Sequence, residues 1–359
     1  MSIKIEFAPV VERWKAFWIG ENPRPMVWGN CIKDDREIWA LADKVRLPYP
    51  LNINGDYRQM ARNAMTYYRE CTEYVADEVP AYCPSFGPDQ FAAFFGVKLN
   101  YSVDSGGTSW SEPMPGELSD ILPLEMSPEN VVYKGMLELA AVFADEAKSD
   151  LVVGNIDMHS NFDGLSAARD PQNACVDLLM YPDESKTALE QIDAIYSRFT
   201  KEYAGSARQR ETGSHGWTSA YCEDLFNTIQ CDFICLLSPA MADEFVIPYL
   251  ARELDVLDHS IYHLDGPEAI PHLDSLLSLK KLDGVQWVPI AGPGKPMADN
   301  PHWYELYHRI LDAGKFLHIA VNAEMAKTIH RELRSNRVIY NVGDSPANTR
   351  ELLEWLEKN

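Results

Sequence analysis

The sequence predicts an α/β protein: a closed (β/α)8 TIM barrel formed by residues 1–359 as a single domain, with an N-terminal helical extension and a long loop excursion around 88–130. Three observations lead there. From residue 131 onward, helical patterns of roughly 10–20 residues alternate with short strand patterns, the signature of parallel βαβ units. With the N-terminal candidates, the count reaches about eight strands, which favours a closed barrel over an open sheet. Polar side chains also gather at or just past the carboxyl ends of several strands, where such folds bind ligands. No Gly-x-Gly-x-x-Gly follows any strand, which argues against a dinucleotide fold.

Taken in order, residues 9–19 read as an amphipathic helix ended by Gly20, and Pro25 to Gly29 as a first strand. The spacing of Met60, Ala64, Tyr67, Tyr68, Cys71 and Val75 predicts one long helix from Tyr57 to Val79, followed by a short Pro-bounded run to Phe86. Residues 88–130 carry five prolines and a Ser-Gly-Gly-Thr turn at 105–108, and read as a loop with one helix at Asp89–Phe95. A helix at 131–148 leads into a strand at Leu151–Asp157, and helical segments cover about 161–204. His215 to Trp217 and Ile229 to Cys235 are the next strand candidates, then a helix at 239–257. Strands at 260–266, 284–289, 316–322 and 337–342 alternate with helices at 267–279, 301–313, 323–334 and 346–357.

The formal net charge of −22 disfavours nucleic acid, because a polyanion needs a basic footprint, and it disfavours an anionic membrane surface equally. No run reaches the apolar length of a spanning helix and the first residues lack a signal-peptide core, so a cytoplasmic protein is expected. Seven scattered cysteines do not form a disulfide framework. Cys231 and Cys235 have three residues between them, which is not the usual metal or redox spacing, and they read as small buried hydrophobes.

By the period of two along a strand, His263 and Asp265 share one face of Ser260–Gly266 with Ile261. Asn155, Asp157 and His159 alternate in the same way along and beyond the strand at 151, and His318 and Asn322 along the strand at 316. Asp232, Gln286, Trp287, Asn341 and Asp344 stand near the ends of the other strands. Taken singly, each is a common cap, turn or buried structural residue. Gathered after several strands, they point to one pocket. His272 reads as structural. The glycine turns at 105–108 and 292–295 lack P-loop spacing and read as turn chemistry.

The run from Phe233 to Leu250, with Leu236-Leu-Ser-Pro239 and Pro248-Tyr249, resembles a segment of the uroporphyrinogen decarboxylases, and Pro25 to Trp28 is similar to their first strand. That superfamily also holds the zinc-dependent corrinoid methyltransferases, such as methylcobamide:coenzyme M methyltransferase. The element order matches over nearly the whole chain, and the chain looks like a divergent branch. The decarboxylases' essential aspartate falls on Gly87, with Asp89 two residues away, and their N-terminal arginines are replaced in the region Asn30–Arg36. An octa-anionic tetrapyrrole would also be repelled by the charge of −22, so true uroporphyrinogen decarboxylation is not expected.

In the methyltransferase branch a His-x-Cys strand end and a later cysteine hold zinc. The resemblance places His263-Leu-Asp265 at the first position and Asp344 at the second, so both thiolates become carboxylates. It thus implies a divalent metal, zinc first, on His263, Asp265 and Asp344. Asp157, His159 and Asp232, among the polar residues gathered at the strand ends, read as the catalytic groups. Asn155, Trp217, Trp287, Asn322 and Asn341 would line the substrate. The function expected is metal-dependent methyl transfer in corrinoid-linked one-carbon metabolism, with a small-molecule substrate, a corrinoid protein as partner and a homodimer as assembly. The alternatives are a metal-free decarboxylase or lyase acting on a small carboxylate, and a non-catalytic barrel that binds a corrinoid or tetrapyrrole.

Overall fold

The computed structural model describes residues 5–33, 35–45, 55–101, 109–289 and 295–359. The turn expected at 105–108 and most of that at 292–295 fall outside them. At the amino end, helix α1 (Ala8–Trp18) buries Val11, Trp14 and Phe17, spaced to share one face. Sinking each of these side chains contributes about 1.5–3 kcal/mol. Strand β1 (Met26–Trp28) follows, then β2 (Asn30–Ile32) and helix α2 (Arg36–Val45). Asp77 pins this region: fully buried, it takes two hydrogen bonds from Arg24, one from Arg13 at 2.7 Å and one from the Val27 amide.

Helix α3 (Tyr57–Thr66), capped by Asp56, is shorter than its apolar spacing predicts. It widens into a π turn at Tyr67–Cys71 and then becomes strand β3 (Thr72–Tyr74), antiparallel to β2. Strand β4 (Ala81–Tyr82) lies between Pro80 and Pro84. The excursion after it holds two short helical turns at Pro88–Gln90 and Ala92–Phe95, and an unpredicted antiparallel hairpin of β5 (Lys98–Tyr101) and β6 (Ser109–Glu112). Helix α4 (Leu118–Ile121) closes the segment.

Helix α5 (Val131–Ala147), capped by Asn130, leads to β7 (Val152–Val153). Helices α6 (Asn161–Arg169), α7 (Pro171–Met180) and α8 (Pro182–Ser206) occupy the predicted helical stretch, and α9 (Gln209–Thr212) follows. A hairpin of β8 (Ser214–Gly216) and β9 (Ala220–Cys222) precedes β10 (Phe226–Gln230). The helix expected at 239–257 is broken at Val246, before Pro248, into α10 (Pro239–Phe245) and α11 (Ile247–Asp255). From β11 (His259–Asp265) the alternation is regular: α12 (Leu273–Leu277), β12 (Gly284–Val288), α13 (Tyr304–Asp312), β13 (Phe316–Val321), α14 (Ala323–Leu333), β14 (Val338–Val342) and α15 (Pro346–Leu356).

The continuous sheet is parallel and six-stranded, in the order β1-β14-β13-β12-β11-β10. A closed eight-strand ladder, as the sequence predicts, is not present among the described residues. Beyond β10 and β1, strand character shrinks to a two-residue parallel pair, β4 with β7. Pro80 and Pro84 flank β4 and cannot donate, so its ladder cannot lengthen. Single bonds continue on either side: the Asp77 amide to the Val27 carbonyl at 2.9 Å, and the Asn155 amide to the His215 carbonyl at 2.7 Å. At Gly154 any Cβ would lie 2.5 Å from Cys83 Sγ and 2.9 Å from the His215 carbonyl, so only glycine lets these segments approach. No disulfide joins the described cysteines. No helix of the described residues is long and apolar enough to cross a membrane.

Candidate functional site

Neighbouring strands of the sheet place one polar row side by side. In register, Gln230 of β10 is opposite His263 of β11, His263 is opposite Gln286 of β12, and Gln286 is opposite His318 of β13. Side chains in register lie on one sheet face, so four polar groups line up across four adjacent strands. Burying such a row costs free energy unless its members have partners. Three of them do. His263 Nδ1 lies 2.5 Å from Gln286 Oε1, and Gln230 Nε2 donates to Asp157 Oδ1 at 3.0 Å. His318 is fully buried with no partner for either ring nitrogen among the described residues, and burial pushes its pKa down to about 3, so it is neutral.

The face of β11 that carries His263 opens toward its carboxyl end: Ile261 is buried, His263 half-buried and Asp265 exposed. An amide oxygen at Nδ1 selects the tautomer with its proton there, which leaves Nε2 as a lone-pair donor. The ring of Trp217 packs edge-to-face with the imidazole at 5.0 Å between centroids. Donor atoms of Asp232, His263 and Asp265 all lie within 4.8 Å of one another, making a compact one-nitrogen, two-carboxylate set.

Asp232 reaches this set from a short helical turn, Asp232–Leu236, that follows β10. The sequence predicted a strand at 229–235, and the structure ends the strand at Gln230. A buried carboxylate sets the turn. Asp163 of α6 accepts from the Asp232 amide at 2.9 Å and from the Phe233 amide at 2.8 Å. Burial pushes the Asp163 carboxyl up to about 6, with His159 pulling it down and Asp232 pushing it up. Asp232 itself is open to solvent on one side, but the protein packed around it raises its pKa; His159 and His263 oppose this, while Asp265 and Asp157 add to it.

Asp157 and His159 adjoin the set. His159 Nε2 lies 3.4 Å from Asp157 Oδ2, and the Asp157 carbonyl accepts from Gln90 at 2.9 Å. Burial works against charge on His159, but its bond to Asp157 and the fields of Asp157, Asp163 and Asp232 prevail and carry its pKa to about 10. At neutral pH it is therefore a cation. Sequence reasoning missed Asp163 and the roles of Gln90 and Gln230. An aspartate in the first turn of a helix looks like any other helix-start residue, and the register that aligns the glutamines does not appear in one strand alone.

The remaining predicted residues lie elsewhere or are otherwise engaged. Asn155 is buried at the sheet edge, donating to the Phe226 carbonyl and accepting from Gln209 at 2.9 Å. Asn322 is the exposed cap of α14, accepting from the Met325 amide at 2.9 Å. Asp344 does not join the His263 set; its carboxylate accepts from the amides of Ala323 and Ser345 and from Asn348. Burial alone would raise its pKa, yet these three donors hold it below the usual carboxylate range. Trp287 is fully buried and packs on Trp303 at 4.9 Å, away from solvent. Asn341 is half-buried on β14, opposite Ala320 and Trp28.

No family model matches the chain, and no curated protein matches it in sequence. Among solved structures, a methyltransferase from Methanosarcina mazei superposes with a TM-score of 0.63, covering 97% of this chain and 98% of its own at 12% sequence identity. At that identity the likeness is one of fold. It extends end to end, in agreement with the resemblance noted in the element order. The chain shares its α/β fold, over almost its full length, with a methyltransferase.

Proposed function

We propose that the chain is a metal-dependent methyltransferase whose active centre is formed by Asp232, His263 and Asp265 at the carboxyl ends of β10 and β11. The observation that carries this reading is the convergence of those three donors within 4.8 Å. Asp157 and Asp163 lie nearby, so a divalent cation relieves the mutual repulsion of these carboxylates. One imidazole and two carboxylates suit zinc, manganese or iron with an open position. A bound metal supplies Lewis acidity that favours the anionic form of an acceptor group. In the sequence resemblance the third ligand fell on Asp344; here Asp232 takes that place.

The other residues act on their own account. Gln286 orients the His263 ring, Asp163 holds the turn that presents Asp232, and Trp217 offers an apolar wall whose indole N–H has no partner among the described residues. His159, kept protonated by Asp157, binds an anionic part of the substrate or gives up its proton at Nε2. The finer reading takes the single bonds flanking the sheet as closure of a one-domain barrel. It takes a corrinoid as methyl source, delivered by a corrinoid protein in the cytoplasm, and a homodimer as the working assembly.

Absorbance spectroscopy with methylcobalamin and a panel of thiols tests this reading. The expected result is metal-dependent demethylation that falls at least about 100-fold in His263→Ala. If the metal-loaded protein demethylates no cobamide with any thiol, the reading fails. The cationic His159 near Asp232, whose pKa is raised by burial, supports a second reading as a carboxy-lyase on a small carboxylate, which would then lead.

A further inference from the structure

The opposite end of the sheet carries another group of ligand-type side chains. Cys222 ends β9, Asp224 follows in the turn to β10, and His259 opens β11 at its amino end. One donor atom from each lies within 4.8 Å of the other two. Tetrahedral zinc holds nitrogen, oxygen and sulfur donors about 3.4–3.8 Å apart, so closure requires at most about 1.4 Å of contraction. Cys222 is 2% exposed and is not in a disulfide.

His259 is held as a ligand histidine is usually held. Its Nδ1 lies 3.2 Å from Asp283 Oδ2, an oxygen that also accepts from the Ser260 amide at 2.9 Å. A carboxylate on one ring nitrogen fixes the tautomer and makes the other nitrogen a better donor. Trp18 packs against the imidazole in a tilted arrangement at 4.6 Å and donates its indole N–H to the Tyr221 carbonyl at 2.9 Å. The turn bearing Asp224 is braced as well, by the Leu225 amide to Asp258 Oδ2 at 3.1 Å and the Asp258 amide back to the Leu225 carbonyl at 2.8 Å.

We propose that Cys222, Asp224 and His259 form a second divalent-metal site, suited to zinc and oriented by Asp283, that fastens the β8–β9 hairpin to the start of β11. The thiolate separates it chemically from the Asp232, His263 and Asp265 set, which is harder and favours oxygen-seeking ions equally well. On binding, the Cys222 S–H bond breaks, a sulfur–metal bond forms and the proton passes to solvent; no electron is transferred. With three protein ligands, a water completes the coordination. The site lies at the end of the sheet away from the proposed active centre, so its role is to stabilise rather than to react.

Cobalt(II) titration of the full chain after chelator treatment tests the site, because a thiolate ligand gives cobalt an intense near-ultraviolet charge-transfer band. His263→Ala serves as a background, since Cys235 Sγ lies 3.7 Å from the Asp265 carbonyl and is a thiol beside the other set. The band is expected at about one equivalent in the wild type and in His263→Ala, and is expected to vanish in Cys222→Ser. Asp224→Asn, an exposed change that leaves the core intact, should weaken cobalt binding at least about tenfold and covers the case in which the serine variant fails to fold. The proposal is overturned if the wild type shows no band, if the band survives Cys222→Ser, if it disappears in His263→Ala, or if Asp224→Asn leaves affinity unchanged.

Discussion

Two aspartates, Asp232 and Asp344, are the sharpest contrast at the scale of single residues. Both stand just past a strand, and either could have completed a ligand set with His263 and Asp265. The structure uses Asp344 to tie the β14–α15 turn through Ala323, Ser345 and Asn348, and brings Asp232 to the imidazole. Asp344→Ala should therefore cost about 0.5–1.5 kcal/mol in denaturant unfolding, the usual net worth of a hydrogen bond such as those it accepts from the Ala323 and Ser345 amides, with metal affinity unchanged. Asp232→Asn should show the reverse, with metal affinity down about 10–100-fold and stability nearly constant. Equal effects of the two on metal binding would contradict the assignment. The i, i+2 pairing of His263 and Asp265 was legible in the sequence because strand geometry alone puts them on one face. The choice of third carboxylate was not, since it depends on how a turn outside the sheet is held.

At the scale of elements, the same point explains where pattern reading succeeded and where it missed. The strands and helices from 259 onward match their predicted spans within a residue or two once the 3-10 turns at Pro267–His272 and Pro301–Trp303, which lead into α12 and α13, are counted with their helices; the strands are short apolar runs between turn residues and the helices carry one apolar face. The run Phe233-Ile-Cys-Leu-Leu237 has strand composition, but Asp163 takes the amides of Asp232 and Phe233 and winds it into a helical turn. The β5–β6 hairpin has a mostly half-exposed face and left little apolar alternation to read. Helix α11 shows another tie of this kind. Its Glu253 is buried, accepts from Ser160 at 2.6 Å and from Asn161 at 3.2 Å, and is pushed by burial up to about 8. A carboxyl whose folded pKa is raised stabilises fully below its unfolded value near 4.5, and that contribution is lost as pH rises through about 8. The wild type should therefore lose unfolding free energy between these limits relative to Glu253→Gln, whose amide keeps the neutral form at every pH. Denaturant titrations at several pH values check this, and a variant with an unchanged pH slope would contradict it.

Across the whole molecule, the two ends of one parallel sheet are put to different uses. At the amino ends, α1 covers the strands with Trp14, Phe17 and Trp18, and His259 sits under that cover beside Cys222. At the carboxyl ends the same strands leave Asp265 and Asp232 open and carry a row of polar side chains beneath them. A chain of net charge −22 has no general attraction for anionic partners, so the cationic His159, with the metal proposed beside it, is the local feature able to draw an anionic substrate to that end. The most direct test of the active centre is manganese(II) binding followed by electron paramagnetic resonance, because manganese prefers imidazole and carboxylate to thiolate and so reports this set rather than the Cys222 group. About one bound ion per chain is predicted in the wild type and in Cys222→Ser, with binding weakened at least about tenfold in His263→Ala and Asp265→Asn. Binding that is absent in the wild type, or unaltered in those two variants, would contradict a metal centre on Asp232, His263 and Asp265.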